Sequence, residues 1–173
     1  MDLRYPIGKA NLPEKIERSH IEAWIQDVLA APSALNQAVA GLTKARLDTP
    51  YRPDGWTVRQ LVHHLPDSHM PTYINFRLAL TQDAPVIKSL DVNASTALTD
   101  CQTAGVEMSL QLFAALQQRW AALLQTMAFA DFERTVQFPN GALRSLATLL
   151  GIYAWHGKHH VAHITALRER MGW

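Results

Sequence analysis

Trp155-His156-Gly157-Lys158-His159-His160-Val161-Ala162-His163 places four histidines within eight residues. On a helix, side chains three and four positions apart share a face. His156 and His160 form an i, i+4 pair, and His163 lies one turn further along the same stripe. Leu149 and Tyr153 precede the cluster on that stripe and Leu167 follows it, so the imidazoles point inward. Two imidazoles in this register can reach one metal ion, and a third ligand must then come from elsewhere in the chain. His63-His64, with His69 just beyond, is the other cluster; of eight histidines only His20 lies outside the two. Burying three imidazoles without partners costs on the order of a few kcal/mol each, and a cation that takes their lone pairs removes that cost. Hydrogen-bonded core histidines are the alternative reading. His156 and His163 are about 10.5 Å apart along the helix axis, too far to hold one small ion together. His156–His160 and His160–His163 are therefore two metal-sized pairs, and the spacing leaves open which one a distant ligand would join.

The composition narrows the remaining chemistry. The chain has 173 residues, 48% apolar and 18% charged, which fits one globular domain over 1–173. A net charge of +1 points to neither nucleic acid nor a membrane surface as partner. Cys101 is the one cysteine, so an internal disulfide and a cysteine-based zinc site are excluded, and nothing basic flanks it to make it a nucleophile. No apolar run reaches the roughly 18 residues of a membrane span. Met1-Asp2-Leu3-Arg4-Tyr5 lacks the apolar core of a signal peptide, so a cytoplasmic location is expected.

Four amphipathic helices must position the histidines. Residues 1–18 read as an irregular arm broken by Pro6, Gly8 and Pro13. Ser19, with Glu22 three residues on, opens the first helix, and His20 sits solvated at its start. Ile21, Trp24, Ile25, Val28, Leu29, Leu35, Val39 and Leu42 carry its period to about residue 42, with a kink expected at Pro32. Residues 43–56 are turn chemistry. Thr57 and Gln60 then form a capping box for a second helix running to about Leu80, with Trp56 as a staple before it. Its apolar face is Val58, Leu61, Val62 and Leu65. His64 borders that face and His63 lies about 100° away, so His64 is the better inward ligand. Asp67 or Ser68, one turn on, could orient a ligand ring, and Pro66 predicts a kink. Residues 81–104 read as a long connection with no helix placed in it. The third helix spans about 105–128, with Leu110, Phe113, Leu116, Trp120, Leu123, Leu124 and Met127 inward. Thr135-Val136-Gln137-Phe138 and the turn Asn140-Gly141 suggest a small β-hairpin. The fourth helix runs from about Ser145 to Met171 and stops at Gly172. The fold class is thus all-α, a four-helix bundle. Its long second connection can cross over the bundle, so simple up-down-up-down order does not follow.

Several segments together resemble a known family. They are Tyr5-Pro6-Ile7-Gly8, Trp56-Thr57-Val58-Arg59-Gln60, His63-His64, Asp67-Ser68-His69-Met70, Tyr153-Ala154-Trp155-His156, His159-His160-Val161-Ala162-His163-Ile164 and Met171-Gly172-Trp173. The chain resembles, from arm to C-terminus, the YfiT-type branch of the DinB-like superfamily. That branch is labelled as metal-dependent hydrolases and includes bacillithiol S-transferases. The resemblance implies up-down-down-up order, a homodimer in at least some members, and one divalent metal per chain, zinc expected first and nickel second. It implies His64, His156 and His160 as ligands, with His163 nearby but not bound. Pro66 and Pro71 depart from the pattern. Three neutral imidazoles leave a zinc ion its full charge and an open position, where a water or, more readily, a thiol would lose its proton. The expected function is transfer of a bacillithiol-type thiol to an electrophilic small molecule. Metal-dependent hydrolysis and a non-catalytic metal-stabilised bundle are the alternatives.

Overall fold

The computed structural model describes residues 2–88 and 90–173; Met1 and Ser89, which belong to the expected arm and long connection, lie outside the described residues. Four long helices form: α1 (Arg18–Val39), α3 (Val58–Thr81), α6 (Glu107–Thr126) and α7 (Leu146–Met171). Short helices α2 (Lys44–Leu47), α4 (Val92–Thr96) and α5 (Thr99–Thr103) lie in the connections. Strands β1 (Thr135–Gln137) and β2 (Leu143–Ser145) pair antiparallel with Val136 opposite Arg144, and Gly141 takes φ +84° at the turn. No helix among the described residues is long and apolar enough to cross a membrane.

The caps explain where the long helices begin and end. Thr57 accepts the Gln60 amide at 3.2 Å, and the Gln60 side chain accepts the Thr57 amide at 2.9 Å, so the expected box starts α3. Ser145 caps α7 through the Thr148 amide at 3.2 Å, and Gly172 ends it at φ +67°. The start of α1 differs from expectation. Glu17, not Ser19, is the cap residue, and its N–H donates to His20 Nδ1 at 3.0 Å, so the half-buried His20 caps the helix. Leu29, expected inward, is exposed. Both α1 and α3 continue through their prolines without a break.

Side-chain contacts fix the order of the bundle. His63 meets Ser109, His69 meets Phe113 and Phe76 meets Trp120, so α3 and α6 are parallel. His69 meets Tyr153 while His64 meets His160, so α3 and α7 are antiparallel. Asp27 pairs with Lys158, and the Ala38 carbonyl accepts from Arg168, so α1 and α7 are parallel. The sequence of directions is up-down-down-up. Parallel neighbours need a connection that returns along the full helix, about 36 Å for the 24 residues of α3. Residues 82–106 supply it. Ile87 pairs with Gln137 of β1, Thr96 accepts from Gln60, and Ala104 accepts from Arg59, each by its backbone carbonyl or amide. The two short helices here were hidden because each buries one residue of its own, Thr96 and Cys101.

One apolar layer joins Ile25, Val28, Phe76, Trp120, Leu146 and Leu150; a second joins Leu35, Leu61, Leu65, Phe113, Ile164 and Leu167. On α7, His156, His159 and His160 fall between the two layers, as His69 does on α3, whereas His63 and His64 lie among the α3 residues of the second. Because one box holds the start of α3, Thr57→Ala should lower the unfolding free energy by about 1 kcal/mol, read as a shifted urea midpoint with unchanged slope.

Candidate metal centre

The antiparallel packing of α3 on α7 brings His64, from the second turn of α3, against the middle of α7. His156 Nε2 lies 3.2 Å from His64 Nε2 and 3.0 Å from His160 Nε2. The three rings stand at 72°, 74° and 84° to one another, like blades around one point. Nitrogens in a tetrahedral zinc shell lie about 3.3 Å apart, given zinc–nitrogen bonds of about 2.0–2.1 Å. The expected trio is therefore brought together, and the two separations from His156 are nearly those that one small cation requires.

Hydrogen bonding alone cannot satisfy this trio. A neutral imidazole has one N–H and one lone pair. The other nitrogen of His156, Nδ1, already faces His69 Nε2 at 3.1 Å. If Nδ1 carries the proton, His156 Nε2 has one lone pair and two claimants. If Nε2 carries it, one of the two neighbours is left facing an N–H it cannot share. A cation that accepts all three lone pairs resolves the conflict, so the donor set fits a divalent metal.

Burial keeps these rings neutral. It holds the His64 imidazole near pKa about 4. Burial first, and then the neighbouring imidazoles, push His156 and His160 well below the ordinary value. His69, fully buried, is held at about 3, and His163 at about 3 by burial and the His159, Arg52 and Arg170 charges. Cys101 is driven the other way, to about 11, so its thiol is inert at neutral pH.

The remaining histidines have separate roles. His63 turns to α6, with Nδ1 at 2.7 Å from Ser109 Oγ and Nε2 at 3.3 Å from the Ala104 carbonyl. It is buried and satisfied there, away from the trio. His163 Nε2 lies 3.0 Å from His159 Nε2 beneath the Tyr51 ring, 4.1 Å away between centroids. His159, His160 and His163 also form a compact group, with ligand atoms within 4.8 Å. The expected orienting role of Asp67 or Ser68 is not what the structure shows, because it is His69 that meets a ring of the trio. His69 extends the Leu61–Leu65 stripe by one more i, i+4 step, and this inward register was its signal in the sequence.

The protonation pattern sets a pH dependence. These imidazoles are held below the unfolded value of 6.5, so the unfolded chain takes up protons first as pH falls. Stability of the chelator-treated protein should be complete above about pH 6.5 and decline towards the folded values near 3–4, by about 2 kcal/mol each for His64, His69 and His163 at pH 5. Urea midpoints that stay level from about pH 7 to pH 5 would contradict this.

Comparison with known proteins agrees with this architecture. A relative from Bacillus licheniformis, named "Putative metal-dependent hydrolase", is 46% identical over 172 residues, covering 99% of this chain and 98% of its own. One from Bacillus cereus with the same description is 45% identical, covering 99% of each chain. The solved structure of YfiT from Bacillus subtilis, described as "a probable metal-dependent hydrolase with an unusual four-helix bundle topology", superimposes with a TM-score of 0.96 at 46% identity, covering 100% of this chain and 99% of that one. The DinB superfamily model matches residues 28–164, which include all four long helices in whole or part and every histidine except His20, and the chain belongs to the DinB superfamily.

Proposed function

We propose that His64, His156 and His160 hold one divalent cation per chain, zinc or else nickel, and that the centre activates a bacillithiol-type thiol for transfer to an electrophilic small molecule. The observation that carries this reading is the convergence of three imidazoles, with His156 Nε2 at 3.2 Å from His64 Nε2 and 3.0 Å from His160 Nε2, all three ligand atoms within 4.8 Å of one another, and no carboxylate among the grouped ligands of the described residues. A cation bound there by neutral donors would keep its charge and an open position, and so would lower the pKa of an entering thiol or water.

The chain's own residues do the rest. His64 and His160 are buried, at 3% and 6% exposure, and His156 is partly buried. The Trp56 ring covers His64 at 4.9 Å and His160 at 6.3 Å, and Tyr153 stands 5.5 Å from His156. These aromatic walls exclude water and offer an apolar surface to an electrophile. Zinc hydrolases with a histidine pair on a helix place a glutamate beside it as general base. Here Gly157 stands directly after His156, where that motif has its glutamate, and this favours the thiol, which gives up its proton more readily than water. Metal-dependent hydrolysis is the second reading, supported by the names of the relatives.

His64→Ala, His156→Ala and His160→Ala should each remove most of the bound metal, measured by elemental analysis after gel filtration. His63→Ala and His163→Ala should retain it, because those rings bond Ser109 and His159 instead. Equal loss in His63→Ala and His64→Ala would sink the assignment.

The activity itself is decided by a substrate panel. The metal-loaded protein should form thioethers from low-molecular-weight thiols and alkyl or epoxide electrophiles, detected by mass spectrometry. Turnover of esters or amides with no thiol present would assign the centre to hydrolysis.

A further inference from the structure

His69 has no exposed surface. Phe113, Trp120 and Tyr153 enclose its ring edge-on, at 5.1, 6.0 and 5.0 Å between centroids. An imidazole in such surroundings is costly unless its polar atoms are used. One is used, because Nε2 lies 3.1 Å from His156 Nδ1. His69 Nδ1, both amide atoms of Gln117 and Trp120 Nε1 have no hydrogen-bond partner, although these three side chains are 0–1% exposed. Gln117 and Trp120 are one turn apart on α6. The Gln117 side chain lies close enough to act on the His69 ring, although no hydrogen bond joins the two.

Counting protons gives this cluster a direction. With the His156 Nε2 lone pair turned to the centre, its single proton sits on Nδ1 and is donated to His69 Nε2. His69 then accepts at Nε2, so its own proton sits on Nδ1. That N–H needs an acceptor. Of the unpartnered groups around it, Trp120 Nε1 and Gln117 Nε2 are donors, and Gln117 Oε1 is the acceptor. A rotation of the amide that brings Oε1 to His69 Nδ1 completes the chain.

We propose that His69 is a positioning residue of the metal centre, which locks His156 in the tautomer that presents Nε2, and that Gln117 in turn locks His69. This rests on His156 being a ligand, as read above. The partner of a metal-bound histidine is commonly a carboxylate or a backbone carbonyl. A neutral imidazole in that place adds no negative charge, so His156 stays a weaker donor and the cation keeps more of its own charge for the incoming group.

The test uses the full chain, with zinc as the probe. Long-range proton–nitrogen spectra of the metal-free and zinc-loaded protein should show Nδ1–H on both His156 and His69. His69→Leu should weaken zinc binding by about 10–100-fold in competition with a chromophoric chelator. His69→Gln, whose Oε1 can accept from His156, should restore most of that loss. Gln117→Leu should leave His69 a mixture of tautomers and weaken zinc binding less. An Nε2–H tautomer on His69, or wild-type affinity in a folded His69→Leu, overturns the proposal. If His69→Leu does not fold, Gln117→Leu decides, and an unchanged tautomer and affinity there overturn it. Wild-type protein that binds no zinc would defeat the metal-site reading instead, while the tautomers of the metal-free chain would still decide the relay.

Discussion

Three neutral imidazoles meet at one point inside an apolar bundle, and the rest of the molecule is arranged so that they can. A ring such as His64 pays to leave water. The packing that keeps it there is the pair of apolar layers, one through Phe76 and Trp120 and one through Leu61 and Phe113. Neither layer offers the ring nitrogens a partner. The convergence of Nε2 atoms is thus a strained arrangement of lone pairs whose natural resolution is a positive charge. Burial that keeps the rings unprotonated also keeps those lone pairs available, so the fold prepares the donors before any ligand arrives.

Topology follows from the same requirement. His64 can meet His160 while His69 meets Tyr153 and His156 only if α3 and α7 run antiparallel and in contact. His63 can meet Ser109 while His69 meets Phe113 and Phe76 meets Trp120 only if α3 and α6 run parallel. The second condition forces the long return through 82–106, which is tied down at both ends of α3. Arg59, at 4% exposure, holds the near end by donating to Asp48 and to the Ala104 carbonyl, each at 2.7 Å. Arg134 holds the far end by donating to the Ala79 and Gln82 carbonyls. The crossover is therefore part of what fixes the height of α3 relative to α7, and with it the height of His64.

Much of this was legible in the residues. Thr57 with Gln60, Ser145, and Gly172 mark ends whose chemistry is local, and the structure places those ends there. His64 rather than His63 followed from one helical angle relative to Leu61. The short helices α4 and α5 were not legible, because their stability comes from Gln60 and Arg59 on α3 and not from their own periodicity. The cap of α1 was missed because His20 is an unusual box partner, reaching back to the Glu17 amide where a glutamate or glutamine is the familiar residue. His69 was visible as a histidine but not as a partner. Its role depends on a contact with His156, 87 residues away, and no spacing rule reaches that far.

The structure also bears on the ambiguity that the sequence left between the two i, i+4 pairs of α7. His160 belongs to both compact groups, with His64 and His156 and with His159 and His163. The groups differ in their proton count. His159 and His163 face each other nitrogen to nitrogen at 3.0 Å, and one donor with one acceptor satisfies that contact. No third ring competes for it within hydrogen-bond distance. His156 Nε2 faces two nitrogens at once while its Nδ1 is engaged by His69, and no assignment of single protons satisfies all of them. The first group is frustrated as a set of hydrogen bonds and relieved by a cation, whereas the second gains less from one. By this reasoning His160 is drawn towards His64 and His156, and the His159–His163 pair serves as a bonded support behind it.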